Sequence, residues 1–411
     1  MIAPGKGAQL AAMPKVPTRG SAAEVFRVAL RLGLISFGGP IAHFGYFERA
    51  YVRERKWLSA DEFAGLVALC LLLPGPASSQ TGFLIGLRRA GWLGASAAWA
   101  GFTLPSALAM FTFALLAPQM QNPALIAVMH GLKLVAVAVV AQAVWGMAQK
   151  LCPDRPRAAL ALVSAVLLLV FPSSGIQMLA LAIGAAGGAL LCRGIAAAPG
   201  SPAMPLTMRA GAIALAVYLV LLLVLPLAGQ AMPHSLLDLA GIFYRVGALV
   251  FGGGHVILPL LRDALVPQGW LSDNAFLTGY GAAQAIPGPI FTFSSYLGAT
   301  VAPAGAAALW SVVALFSIYL PGLLMALAGL PLWSWLARHS AARAALAGIN
   351  AAVVGELGAA LYDPMWINAV SSNRDVAIAI TGFLLLERWQ IPPVVIVGFS
   401  VGAALLSAAI P

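Results

Sequence analysis

The sequence predicts an all-α polytopic membrane protein made of two homologous, inverted repeats whose helices are interrupted at depth. Three observations carry that prediction. Of 411 residues, 61% are hydrophobic and only 9% charged, too little polar surface to coat a soluble globule. One set of motifs occurs twice, at an offset of 213 to 214 residues. Proline and glycine also stand in the middle of apolar runs, as in LLLPGPASSQTGFLIG from Leu71 to Gly86, where a regular helix cannot continue.

Taken in chain order, residues 1 to 24 are rich in Gly, Ala and Pro and carry Lys6, Lys15 and Arg19 without an apolar stretch. They read as a flexible, basic, cytoplasmic tail and not as a secretory signal. A first repeat is expected over 25–193. It opens on an apolar segment, 25–47, broken at Gly38-Gly39-Pro40, with Arg27 and Arg31 ahead of the break. A charged strip follows from Glu48 to Trp57, amphipathic and topogenic, with a further capacity to gather anions. Ser59 is placed to cap a helix beginning at Asp61-Glu62. Residues 63–73 and 77–87 are each about 16 Å long as helix, half of a hydrocarbon core of roughly 30 Å. Basic residues flank this pair on both sides, Arg53 to Lys56 before it and Arg88-Arg89 after it. The expectation is therefore a re-entrant hairpin with its tip at Pro74-Gly75-Pro76. A further break is expected at Leu104-Pro105.

Residues 194–229 are expected to form a linker and one crossing helix, apolar from 210 to 228. The second repeat, 230–411, restates the first. Phe251-Gly252-Gly253 matches Phe37-Gly38-Gly39, Trp270-Leu271-Ser272 matches Trp57-Leu58-Ser59, Pro287-Gly288-Pro289 matches Pro74-Gly75-Pro76, and Leu320-Pro321 matches Leu104-Pro105. Internal duplication of this kind is the signature of transporter repeats. Loops of the first repeat carry Arg49, Arg53, Arg55, Lys56, Arg88, Arg89, Lys150, Arg155, Arg157 and Arg193, whereas 263–274 and 301–305 carry no Lys or Arg. Cytoplasmic loops retain positive charge, so the asymmetry predicts opposite orientations, with the single crossing between the repeats as the inverting element.

Irregular backbone survives at membrane depth only when buried in protein or lining a wet cavity. Each break also frees N–H groups at the positive end of the next half-helix, which favours an anion. The predicted site accordingly takes its backbone from Gly38, Gly39, Pro74, Gly75 and Pro76, and from Gly252, Gly253, Gly254, Pro287, Gly288 and Pro289. Neutral donors would come from Ser78, Ser79, Gln80, Thr292 and Ser294. Arg31 and Arg245 precede the two FGG breaks and either face an entering oxyanion or reach out to the headgroups. His43 and His255 lie just past those breaks, as packing residues or as functional ones. Lys133 and Glu356 occupy related apolar segments, where they either pair or leave Glu356 to carry a proton.

The paired motifs FGGPIAHFGYFERAYVRERKWLSADEF with PGP, and FGGGHVILPLL, GWLSDNAF with QAIPGP, resemble the two halves of the chromate ion transporter family in its long two-domain form. Dense motifs carry the resemblance over 25–117 and 243–330. It implies a secondary carrier that exports chromate, a tetrahedral dianion similar to sulfate, across the bacterial inner membrane, with the proton-motive force as driving agent and chromate resistance as outcome. Sulfate or another oxyanion remains the alternative substrate, through a carrier or a channel. The partners expected are the anion, protons, the lipid bilayer and, left open, further copies of the chain.

Other classes lack their residues. The chain has no HExxH, DxxxD or GxxxxGKS motif, and its one GxSxG string, GFSVG at 398–402, lies inside an apolar run and not at a strand-to-helix turn, which argues against a membrane-embedded enzyme. Cys70, Cys152 and Cys192 have no metal-ligand spacing, and no metal or cofactor is expected. The net charge of +10 is dispersed over short loops and forms no face for nucleic acid.

Overall fold

A computed structural model describes residues 20–36, 39–117, 123–171, 174–192, 206–251 and 256–409. Among the described residues the chain is helical throughout, with no strand, as the sequence predicts. The first run of elements comprises α1 (Ala22–Ile35), α2 (Gly39–Phe47), a π-helical extension Glu48–Glu54, α3 (Ala60–Leu72), α4 (Ala77–Leu116), α5 (Pro123–Leu151), α6 (Arg155–Val170) and α7 (Ser174–Leu191). The connecting helix α8 is Met208–Gln230. The same series then recurs: α9 (Leu236–Leu249), α10 (Ile257–Leu265), α11 (Asp273–Ala285), a 3-10 turn Ile290–Thr292, α12 (Phe293–Thr300), α13 (Ala307–Arg338) and α14 (Ser340–Ala360). A π-helical turn Leu361–Trp366 leads on to α15 (Asn373–Glu387) and α16 (Pro393–Ala409).

Equivalent helices start with equivalent caps. Ser21 and Ser235 accept from the third backbone N–H of α1 and α9, and Ser59 and Ser272 do the same for α3 and α11. Each such side chain satisfies one of the donors a helix start leaves unpaired. Ser59 forms a full capping box with Glu62, whose carboxylate also holds Arg88 at 2.7 Å. The charged strip folds on itself, Arg49 pairing with Glu54 at 2.9 Å and Arg53 with Glu48 at 2.8 Å.

The expected hairpin is present, although α4 is longer than its half-helix. Its backbone leaves helical geometry at Ala90 and Gly91, where Gly91 adopts φ +66°. The arms on either side fold back so tightly that Gly86 and Gly94 lie against each other's carbonyls. Of the two later prolines, the structure corrects the expectation. Pro105 and Pro321 sit inside continuous helix. A proline costs one hydrogen bond to the carbonyl four residues back, and the helix continues where neighbouring helices pack closely on that turn. Here Gly33 of α1 approaches the Gly101 and Phe102 carbonyls, and Gly247 of α9 approaches Ile318 and the Pro321 ring.

Among the described residues five helices are, by length and composition, apolar enough to cross a membrane: α4, which folds back at Ala90-Gly91, α5, α8, the first 25 residues of α13, and α14 with its extension. Leucines such as Leu93, Leu190, Leu223 and Leu227 stand fully out on the surface of these and neighbouring helices, the lipid-facing side of the molecule. Inside, the two series exchange partners. Helices α6 and α7 pack around α14 of the second series, while α15 and α16 pack around α5 of the first. Small residues allow the contacts, Gly184 and Gly188 against Gly348, and Gly131 against Ser400 and Val401.

Candidate functional site

The two PGP turns lie crosswise in the opposite repeat. The N–H of Gly75 donates to the carbonyl of Val250 at 2.7 Å, and the N–H of Gly288 donates to the carbonyl of Ser36 at 2.8 Å. Ser36 and Val250 are the residues directly before the two FGG motifs. Each tip therefore docks on the residue just before the FGG motif of the other repeat, and the two contacts are reciprocal. The positive φ of each turn, +117° at Gly75 and +105° at Gly288, is one that L side chains rarely adopt. Space is short as well. A Cβ on Gly75 would lie 2.6 Å from Gly322 Cα, and one on Gly288 would lie 2.8 Å from Ser106 Oγ. Gly322 and Ser106 are themselves equivalents, each following the proline of its long helix.

This geometry corrects the role given to the turns. Gly75 and Gly288 have spent their N–H groups on each other's repeat, and Pro74, Pro76, Pro287 and Pro289 have none to offer. Thr292 Oγ1 donates to the Pro289 carbonyl and Ser294 Oγ to the Phe291 carbonyl, so neither hydroxyl proton is free. The Gln80 amide donates to the Pro74 and Gly322 carbonyls, both at 2.8 Å, which makes Gln80 a brace between repeats. Gly38 and the segment Gly252, Gly253, Gly254 and His255 lie outside the described residues. Gly39 begins α2.

What remains unpaired lies one turn further along. The N–H groups of Ala77, Ser78 and Ser79 form the open start of α4, deep in the molecule. Ser78 is engaged by His43 Nδ1 at 3.2 Å, and the ring of His43 stands edge-on to Phe102. The Nε2 of His43 has no partner, although the residue is 1% exposed. The hydroxyls of Ser79, Thr103 and Tyr319 face one another within reach, but none makes a hydrogen bond of good geometry. Ser36 Oγ and Gln80 Oε1 are likewise buried and unpaired. Native interiors satisfy the large majority of such groups, so half a dozen in one neighbourhood mark a place prepared for a polar guest.

The cluster is not symmetric. In the second repeat the equivalents of Ser78 and Gln80 are Phe291 and Phe293, both buried, and the equivalent of Ser36 is Val250. One polar chamber is thus built mainly from the first repeat, with Tyr319 of α13 as the contribution of the second. Thr103, Tyr319 and Ser36 were not singled out from the sequence, because hydroxyls within Ala- and Leu-rich helices carry no motif. The order of Thr103 and Tyr319 two residues before a shared Pro is the one signal that pairs them.

The charged candidates fall elsewhere. Arg31 is exposed on α1. Arg245 lines a small cleft with Gln177, Met178 and Leu249. Lys133 donates to Asn274 Oδ1 at 2.9 Å, so the Lys133–Glu356 pair is not formed. Glu356 is buried with both oxygens unpaired. Among the described residues no group of three or more His, Cys, Asp or Glu is placed to hold a metal ion.

Two series of interrupted helices, crossing over a buried polar chamber inside a lipid-facing shell, define a multi-pass membrane transport protein of repeat architecture. The chromate transporter family model matches residues 23–191 and again residues 237–407, and the chain belongs to that family in its two-domain form. It is 28% identical to the chromate transport protein of Pseudomonas aeruginosa over 393 residues, 91% of this chain and 89% of that one. Against the chromate transport protein of Cupriavidus metallidurans the identity is 25% over 386 residues, 92% and 90% of the two chains. An uncharacterized transporter of Methanocaldococcus jannaschii is 24% identical over 393 residues, 94% and 95% of the two. No solved structure matches.

Proposed function

We propose that the protein is a secondary carrier that exports chromate across the bacterial inner membrane, coupled to the proton-motive force, and so confers chromate resistance. The observation that supports this most directly is the set of unpaired hydroxyls of Ser79, Thr103 and Tyr319 at the open N-terminus of α4, where the two repeats cross. A tetrahedral oxyanion needs several donors converging from different directions, and a helix start supplies both donors and a positive partial charge. The chromate transport proteins of Pseudomonas aeruginosa and Cupriavidus metallidurans add the choice of anion. The repeats adopt inverted orientations, N-terminus in the cytoplasm, and rock about the crossed PGP turns to expose the chamber to each side.

Everted membrane vesicles, loaded with labelled chromate or sulfate with and without an imposed proton gradient, test the reading. Gradient-dependent accumulation of chromate, at most weakly competed by sulfate, is the expected outcome, and no accumulation of either anion would sink it. Tyr319→Phe and Ser79→Ala refine the site. Each removes a buried group that pays desolvation without a bond, so the unloaded protein should be as stable as the parent or more so. Transport should nevertheless fall by about tenfold per lost donor to a charged ligand. Unchanged transport in both variants would move the site away from the chamber.

A further inference from the structure

Glu356 lies in α14, away from the chamber, and the transport site makes no use of it. It is 1% exposed, and neither carboxyl oxygen has a hydrogen-bond partner. A carboxylate left in an apolar interior without a cation or donor is among the most costly placements a membrane protein can make.

The charged groups on every packed element leave that cost uncompensated. From α10, Asp263 is the charge within electrostatic reach of Glu356, and it has the same sign. Its neighbour Arg262 is held by Asp273 through two hydrogen bonds, at 2.9 and 3.0 Å, and also pairs with Asp263 at 3.5 Å, so that its charge is shared between two acids and does not reach Glu356 as a partner. Asp263 itself accepts from Gln177 Nε2 at 2.5 Å. On α5, His130 is bound to Asp375, Lys133 to Asn274, and Lys150 stands at the far end. Helix α6 carries Arg155 and Arg157 in its first turn, the latter bound to Asp154, and α7 has no titratable side chain. On α13 the titratable residues are Tyr319 and Arg338, and α14 offers Arg343 thirteen residues earlier. Beyond α14, Asp363 is exposed on the π-helical turn and lies within electrostatic reach of Arg262 and Asp263.

The acids therefore form a series from surface to interior: Asp363, Asp263, Glu356. The guest that neutralises the last of them without needing room or ligands is a proton. We propose that Glu356 is the proton-binding residue of the transport cycle, loaded and unloaded through Asp263 and Asp363. In each hop the O–H bond of the donor, hydronium, then Asp363, then Asp263, breaks as the O–H bond of the next carboxylate forms; the last such bond forms on a Glu356 carboxylate oxygen and breaks on release to water, with no bond other than O–H changed. Helix α10 is the mechanical link. Its end carries Arg262 and Asp263, and it packs against α9, whose C-cap Val250 holds the Gly75 tip through its carbonyl. A charge change at Glu356 thus acts, through α10, on the helix that anchors one of the crossed turns.

The inference rests on the carrier reading above, and the test separates the two. Full-length protein in proteoliposomes is assayed for chromate exchange at equal pH on both sides, and for accumulation and proton movement under an imposed pH gradient. Glu356→Gln mimics the protonated side chain. It should keep exchange while losing gradient-driven accumulation and chromate-dependent proton movement by at least about tenfold. Wild-type accumulation in that variant, or loss of exchange together with accumulation, overturns the proposal. If wild type itself exchanges neither chromate nor sulfate, the carrier reading fails. Infrared titration of the unloaded protein still reads the proton: a carboxylic C=O band that shifts in Glu356→Asp supports the assignment, and identical bands in the two proteins overturn it. That second readout also serves if Glu356→Gln does not fold.

Discussion

At the scale of single residues, Gly75 and Gly288 do the same job under different constraints. Both need a positive φ, which costs an L residue roughly 1–2 kcal/mol before any contact is counted. The obstacle to a methyl group at Gly75 is backbone, the Cα of Gly322 at 2.6 Å, whereas at Gly288 the nearest atom is the Ser106 hydroxyl at 2.8 Å, which can turn aside at the cost of its bond to the Thr103 carbonyl, and the nearest backbone atom, the Gly33 carbonyl, stands off at 3.3 Å. Gly75→Ala should therefore lower the melting temperature in detergent more than Gly288→Ala does, and both should impair transport. Equal shifts, or the reverse order, would mean that the Gly322 contact does not limit the turn. The sequence made these glycines legible because the same tripeptide occurs twice. It mistook their task, since a repeated turn indicates a special backbone but not what its N–H groups face. That depends on which carbonyl the fold brings opposite, and Val250 and Ser36 are remote in sequence from the tips they hold. Tyr319 was invisible for the same reason, being an isolated hydroxyl in an apolar helix whose partners arrive from α4.

Among the elements, α3 shows how a short helix at the rim of the fold is held, and its Ser59 cap was legible because a capping box is local in sequence. Burial of the Glu62 carboxyl works against its ionisation, but the hydrogen bond and charge of Arg88, together with the Ser59 cap, outweigh that and hold it below the ordinary carboxylate range. A depressed folded value contributes stability that is complete above the unfolded value, roughly 4.3, and is lost as the pH falls through the folded one. Glu62→Gln should thus melt below the parent at neutral pH, and the two curves should converge as the pH is lowered from about 5 toward 3. A gap that persists unchanged at the acid end would assign the loss to the hydrogen bonds alone. The long helices were harder to read. Composition places a break at Pro105, where neighbouring α1 makes continuous helix tolerable, and passes over Ala90-Gly91, where the chain actually reverses. A proline announces itself in any sequence, while a glycine turn among other glycines does not.

For the whole molecule, the duplication could be read directly but the exchange of helices could not, because hydropathy gives spans and not neighbours. The exchange has a physical consequence. Helix α14 is walled by α6 and α7, and α5 by α15 and α16, so neither series surrounds its own central helix. The core reflects this: one apolar cluster joins residues of α4 and α5 to α9 through α14, and a second joins α1 and α3 to Ala326, Leu327 and Leu330 of α13. In a bilayer, helix association rests on close packing of small residues, and here several tight contacts, Gly184 with Gly348, Gly131 with Val401, Gly281 with Leu132 and Gly355 with Ala161, run between the halves. A chain cut between α7 and α8 and produced as two polypeptides should then assemble: co-expressed halves should co-purify and regain transport. Either half alone should aggregate or be degraded, since its central helix exposes glycine faces that lipid cannot fill. A single half that runs as one sharp species in size-exclusion chromatography and unfolds cooperatively would refute the exchange, because each series would then carry a complete core of its own.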